Sequence, residues 1–162
     1  MPKRPLQFTV RRIKGRKILT EYKLDETPYL TIDAIIEYNR KLIIIERMHD
    51  PLGLAWVGGF VDPGETCKQA VIRECGEEVN LKVDVIDLIG IYDDPERDPR
   101  GHLVSIAYLC KAVAGTPRPQ DAEVKKIHQV SLDEALKLHM IADHSQMLLD
   151  ALELAVFDRR RI

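Results

Sequence analysis

The chain of 162 residues is 45% hydrophobic and 31% charged, the balance expected of one compact domain long enough to bury a core. Lys and Arg number 24 against 26 Asp and Glu, a formal net charge of -2, so the basic excess of a dedicated nucleic-acid binder is missing. No run approaches the roughly 20 apolar residues of a membrane span, and the opening MPKRPLQFTV has no signal-peptide core; neither nucleic acid nor membrane is an expected partner, and a cytoplasmic location is expected.

The first 23 residues are locally basic, and two apolar stretches flank the turn signal Lys14 and Gly15, which predicts a β-hairpin within 1–26 that is either a solvated outer element or an anion-steering arm. The β-rich runs 30–38 and 41–48 follow, separated by Asn39 and Arg40, and read as a second hairpin of inner strands. A short strand at 54–61 leads through Asp62, Pro63 and Gly64 into a helix predicted over 65–79, with Ala70, Val71, Ile72 and Cys75 apolar. Strands are expected again at 83–92 and 102–112, with the charged, proline-rich loop DDPERDPRG between them, and at 124–130. Ser131 and Glu134 form a capping box, and a last helix is expected from Asp143 to Phe157. Strands around one central helix, with helices closing the chain, predict an α+β fold arranged as an α/β/α sandwich in a single domain. Cys67, Cys75 and Cys110 show no CxxC pairing and are expected to be reduced thiols packed as small hydrophobes.

The chemistry concentrates in GGFVDPGETCKQAVIRECGEEVNL, residues 58–81. On a helix Glu74, Glu77 and Glu78 lie at i, i+3 and i+4 and share one face, where like charges repel by tenths of a kcal/mol per exposed pair. Arg73, adjacent in sequence, is expected to point off that face, which leaves hard divalent cations as the natural partners. Gly58, Gly59 and Gly64 permit a tight loop beside them. Taken alone, such a helix also fits a solvated glutamate-rich surface.

The longer register decides between these. Gly59, Glu65, Arg73, Glu74, Glu77, Glu78 and Leu81 match seven of the nine specified positions of G-x5-E-x7-R-E-U-x-E-E-x-G-U, and the pattern resembles the box that defines the Nudix hydrolase family. Cys75 stands where an aliphatic residue is usual, and Asn80 replaces a glycine; Asn is the next-best residue for a left-handed helix terminus.

The resemblance implies a Nudix-like mixed sheet between helices, with the box at 59–81, and Mg²⁺ or Mn²⁺ as cofactor. It makes Glu74 and Glu78 the main metal ligands, Glu77 a further ligand or water-activating carboxylate, and the Gly58 carbonyl a backbone ligand. Arg73 and Glu65 complete the catalytic set by holding those carboxylates in place. The stretches TPYLTIDAIIEY, GIYDDPERDPRGHLVSIAYLC and IADHSQMLLDAL look like the ADP-ribose pyrophosphatase branch. They imply a nucleoside diphosphate-linked small molecule as substrate, cleaved to a nucleoside monophosphate and a sugar phosphate. Pro95, Arg97 and Arg100 in the charged loop, with Arg47, are the substrate-binding candidates, Arg47 having an ion pair with Glu46 or Asp50 as its alternative. Trp56 is either an adenine platform or core, and Glu123 and Glu96 are the candidates for a general base outside the box. The five histidines offer no helical metal-ligand pair and are read as structural or peripheral. The rival readings are a triphosphate pyrophosphohydrolase acting on oxidised nucleotides and a non-catalytic nucleotide sensor. Relatives are commonly homodimers, with the N-terminal hairpin as the exchange element.

Overall fold

The computed structural model describes the backbone of residues 6–13 and 16–22, and residues 28–120 and 122–153 in full. The predicted N-terminal hairpin is present as β1 (Leu6–Ile13) and β2 (Arg16–Tyr22), antiparallel and forming their own two-stranded sheet. The basic side chains of residues 1–27, and the predicted end of the last helix at Phe157, lie outside the described residues.

A mixed sheet carries the rest. Its inner pair is β3 (Tyr29–Tyr38) and β4 (Lys41–Arg47), joined at Asn39 and Arg40, both at positive φ (50° and 64°), the geometry whose twist suits a two-residue hairpin. The strands read as nearly continuous apolar runs because helices cover both faces of the sheet. Alternate residues separate cleanly: Ile32, Ala34, Ile36, Ile43 and Ile45 join the core on one face, and Ile35, Leu42 and Ile44 join the core on the other. Each such isoleucine, essentially solvent-free, contributes at most about 1.5–3 kcal/mol by leaving water.

One departure from the expected strands positions everything else. The run at 54–61 is two strands, β5 (Leu54–Ala55) and β6 (Val57–Phe60), interrupted at Trp56. β4 stays beside β3 only over Lys41–Ile43; further on its neighbour is β5, whereas the first half of β3, Thr31–Ala34, pairs with β6. The sheet therefore forks, and Trp56 crosses between the branches. A peptide group at a fork has no ladder partner, and a buried amide without one would cost on the order of 1–3 kcal/mol. His144 supplies it: its Nδ1 accepts from the Trp56 backbone N–H (3.0 Å), while the indole N–H donates to the His144 carbonyl (2.8 Å). Trp56 is thus a core residue.

The helix α1 (Cys67–Val79) begins two residues later than its periodicity suggests, because Thr66 caps it in a box with Gln69. It ends as expected at Asn80, in the left-handed conformation at φ 59°. β7 (Leu81–Tyr92) and β8 (Leu103–Gly115) follow as an antiparallel pair, and β8 runs parallel to β3. β9 (Val124–Val130) lies against β4 on the side away from β5. The one-turn helix α2 (Leu132–Ala135) is capped by Ser131 and Glu134, and α3 (His144–Glu153) packs on the face opposite α1. The architecture is the expected α/β/α sandwich.

All three cysteines are free. Burial raises the Cys75 thiol well above its ordinary pKa and pushes Cys110 up to about 12, so neither forms thiolate near neutrality. A thiol-labelling time course at pH 8 should therefore modify half-buried Cys67 first and reach the other two only on addition of denaturant; rapid labelling of all three in the native protein would contradict this packing.

Candidate active site

The fork brings β6 under α1. Gly58 and Gly59 pass so close to the helix and to β3 that a methyl group on either would collide: at Gly58 with the Ile32 carbonyl and the Asp33 carboxylate, at Gly59 with the Glu74 carboxylate. The three helix carboxylates are graded by depth. Glu77 is exposed at the rim, Glu74 is mostly covered, and Glu78 is 1% exposed and accepts a hydrogen bond from the Gly58 N–H (3.0 Å). Burial raises the Glu74 pKa, with Arg73 opposing.

Arg73 corrects the expectation that it points off the carboxylate face. Its Nη1 donates to Glu74 (2.8 Å) and Glu77 (2.9 Å), while Nε and Nη2 reach Glu65 (3.2 and 2.7 Å) and Nη2 also the Phe60 carbonyl (3.0 Å). Adjacency in sequence sets the direction of the Cβ, but a guanidinium on a long stem folds back across the helix surface. Glu65 in turn accepts from the Asp62 N–H (2.8 Å), and these bonds, that from Arg73 largest, hold its carboxyl below the ordinary range.

Among the described residues no three His, Cys, Asp or Glu side chains are gathered as a ready-made metal cage. The donor set nevertheless fits a hard divalent cation: all-oxygen ligands, a carboxylate pair bridged by the cationic Nη1 of Arg73, and a glycine whose missing side chain lets the Glu74 carboxylate lie against the strand. The surrounding cleft, about 470 Å³, is lined by six carboxylates and four guanidiniums, so an anionic ligand would need added positive charge to sit there.

The remaining candidates divide. Arg47, Arg97, Arg100 and Glu123 line the cleft. Arg47 is anchored by its Nε to the Pro51 carbonyl (2.9 Å), not paired with Glu46, which bonds Lys125, nor with Asp50. Arg97 is 4% exposed and forks onto Asp143 (2.7 and 2.5 Å); burial opposes its charge, but the carboxylate prevails and its pKa stays high. Arg100, more open, is held by Asp98 (2.9 and 2.8 Å). Pro95 and Glu96 are exposed in the loop and do not line the cleft among the described residues. Sequence reasoning misses Asp33, Ser105, Asp98 and Asp143, and reads His144 with the other histidines only as structural or peripheral. The available signal was a charged residue inside an apolar strand, LTIDAIIEY.

Three comparisons bear on this site. A NUDIX domain model matches residues 28–151, and the chain belongs to the NUDIX family, as a hydrolase with all three helix carboxylates in place. The ADP-ribose pyrophosphatase of Methanocaldococcus jannaschii is 35% identical over 142 residues, covering 86% of this chain and 82% of that protein. The NUDIX domain of Shewanella oneidensis NrtR, solved with ADP ribose, superposes with a TM-score of 0.72 at 25% identity, over 83% of this chain and 94% of that one. A Francisella tularensis bifunctional NMN adenylyltransferase/ADP ribose pyrophosphatase, solved with AMP and a Mn ion, gives 0.67 at 26% identity over 79% of this chain and 42% of that one.

The two glycines should fail differently when given a methyl group. In Gly58→Ala the obstacle is backbone, so overpacking of about 1–3 kcal/mol should lower the melting temperature by several degrees. In Gly59→Ala it is the mobile end of Glu74, so the fold should persist while turnover falls about tenfold or more. Thermal melts and rate measurements on both variants separate the two; equal melting losses would contradict the geometry.

Proposed function

We propose that the protein hydrolyses the diphosphate of ADP-ribose to AMP and a sugar phosphate, with Mg²⁺ or Mn²⁺ as cofactor. The observation that carries this reading is the row of helix carboxylates set against the glycine strand β6, Glu77 and Glu74 lining a cleft that Arg47 and Arg100 also line, and Glu78 buried behind them on the Gly58 N–H. Two relatives named for ADP-ribose pyrophosphatase activity and a neighbour solved with ADP ribose support the choice of substrate.

Glu74, Glu78 and the Gly58 carbonyl, with Glu77, would hold the divalent cations, which when bound neutralise the diphosphate and acidify water. The chain's own residues do the rest. Gly58 N–H fixes one Glu78 oxygen, so the side chain keeps a single rotamer. Arg73 locks Glu65 and the loop at Asp62 to the helix through its Nε and Nη2 edge, an anchor separate from the Nη1 contacts to Glu74 and Glu77, which a bound cation would replace. Arg47 and Arg100, oriented by Pro51 and Asp98, present guanidiniums to phosphate oxygens; Arg97, spent on Asp143, holds the cleft wall. Between the two acids outside the helix, Glu123 lines the cleft and is assigned the proton of the attacking water. A cytoplasmic location is supported by the three free thiols, and a homodimer by the separate sheet of β1 and β2.

A substrate panel in Mg²⁺ comparing ADP-ribose, a sugar nucleotide, a dinucleoside polyphosphate and oxidised dGTP should show the highest kcat/KM for ADP-ribose. Glu78→Gln, which keeps side-chain volume and an acceptor for Gly58, should lower kcat by about two orders of magnitude or more without shifting the melt. Preference for the triphosphate, or near-wild-type turnover of the variant, would overturn the assignment.

A further inference from the structure

Asp33 is a buried cleft carboxylate that neither the metal constellation nor the phosphate clamps use. Asp33 sits midway along β3, and its side chain is on the face opposite the α1 core, since its neighbours Ile32 and Ala34 both belong to that core. It is 7% exposed, lines the cleft, and is locked from behind: Ser105, fully buried on β8, donates its hydroxyl to Oδ2 (2.5 Å). Oδ1 lies 3.6 Å from His144 Nε2, outside hydrogen-bonding range, and the His144 ring is itself fixed because Nδ1 accepts from Trp56. Ser105 satisfies Oδ2 alone, and a second carboxylate oxygen in a cleft for an anionic substrate is electrostatically expensive unless it too meets a donor, which a phosphate oxygen does not offer.

We propose that Asp33 is a specificity-determining residue that accepts a hydrogen bond from a ribose hydroxyl of the substrate, with Ser105 as its positioning residue. This rests on the reading of the protein as an ADP-ribose hydrolase and says which chemical feature of that substrate the cleft recognises. Because Ser105 holds the acceptor in place, a substrate lacking the hydroxyl leaves a buried carboxylate oxygen unmet, which discriminates more strongly than the loss of an exposed hydrogen bond. Two hydroxyl-bearing sugars are present in ADP-ribose, one on each side of the diphosphate, and analogues distinguish them.

The experiment compares ADP-ribose, 2′-deoxyadenosine diphosphoribose and ADP-2-deoxyribose in Mg²⁺, for the wild type, Asp33→Asn and Ser105→Ala. Wild-type kcat/KM should fall about tenfold or more for one deoxy substrate, which identifies the sugar. In Asp33→Asn the amide oxygen takes the Ser105 hydroxyl and turns a donor nitrogen to the cleft. That variant should lose a similar factor on ADP-ribose, mostly in KM, and little on the discriminating deoxy substrate. Ser105→Ala should shrink the same ratio without abolishing it, and it carries the test if Asp33→Asn fails to fold by circular dichroism. Equal losses on all three substrates, as a proton-accepting or cation-holding role would give, overturn the proposal, as does a wild type that turns over ADP-ribose without preferring it to either deoxy analogue. A wild type with no turnover of ADP-ribose overturns the functional reading and this inference with it.

Discussion

Glu78 is a carboxylate almost without solvent on the buried side of a helix, and the rest of the site is arranged around making that tolerable. A carboxylate in such a place needs hydrogen-bond partners, and Gly58 provides one by bringing its peptide N–H to 3.0 Å. That approach is possible only because β6 carries no side chains where it passes the helix and β3. The glycines in turn can lie there only because β6 has left the β4 branch and joined β3. The fork, the glycine pair and the buried glutamate are one constraint seen at three scales.

The same fork builds the opposite wall. Where Trp56 crosses, its amide turns to His144, which pins the start of α3 and holds the imidazole neutral, burial lowering its pKa. Asp143, the preceding residue, is thereby set to receive Arg97 from the loop after β7, and so the loop that carries Arg100 into the cleft is tied down by an ion pair whose guanidinium is buried. Removing Asp143 would cost more than the pair itself contributes, because the Arg97 charge would be left behind in a covered place. The cleft thus has one anionic wall built on a helix and one mixed-charge wall built on a fork.

Much of this was readable from local chemistry. The carboxylate register of α1, the left-handed terminus at Asn80, the hairpin at Asn39 and Arg40 and the cap at Ser131 each depend on residues within a few positions of one another, so spacing alone defines them. What spacing could not reveal is what distant strands bring together. Ser105 meets Asp33 across 72 residues, and His144 meets Trp56 across 88. The strand 54–61 has the composition of one element, and nothing in its own residues tells that its two halves pair with different neighbours. Arg73 was misjudged for a different reason: helical periodicity describes where a side chain starts, and a six-atom arm ends elsewhere.

The central claim is that Glu74 and Glu78 form a cation site whose shape is imposed by Gly58 and Gly59, independently of the substrate wall. Its most direct test is the binding of Mn²⁺ followed by electron paramagnetic resonance, as loss of the free-ion signal on titration with protein in the absence of substrate. The account predicts saturable binding by the wild type, weakened about tenfold or more in Glu74→Gln and in Glu78→Gln and unchanged in Arg100→Ala. Equal binding by the wild type and both glutamine variants would contradict it.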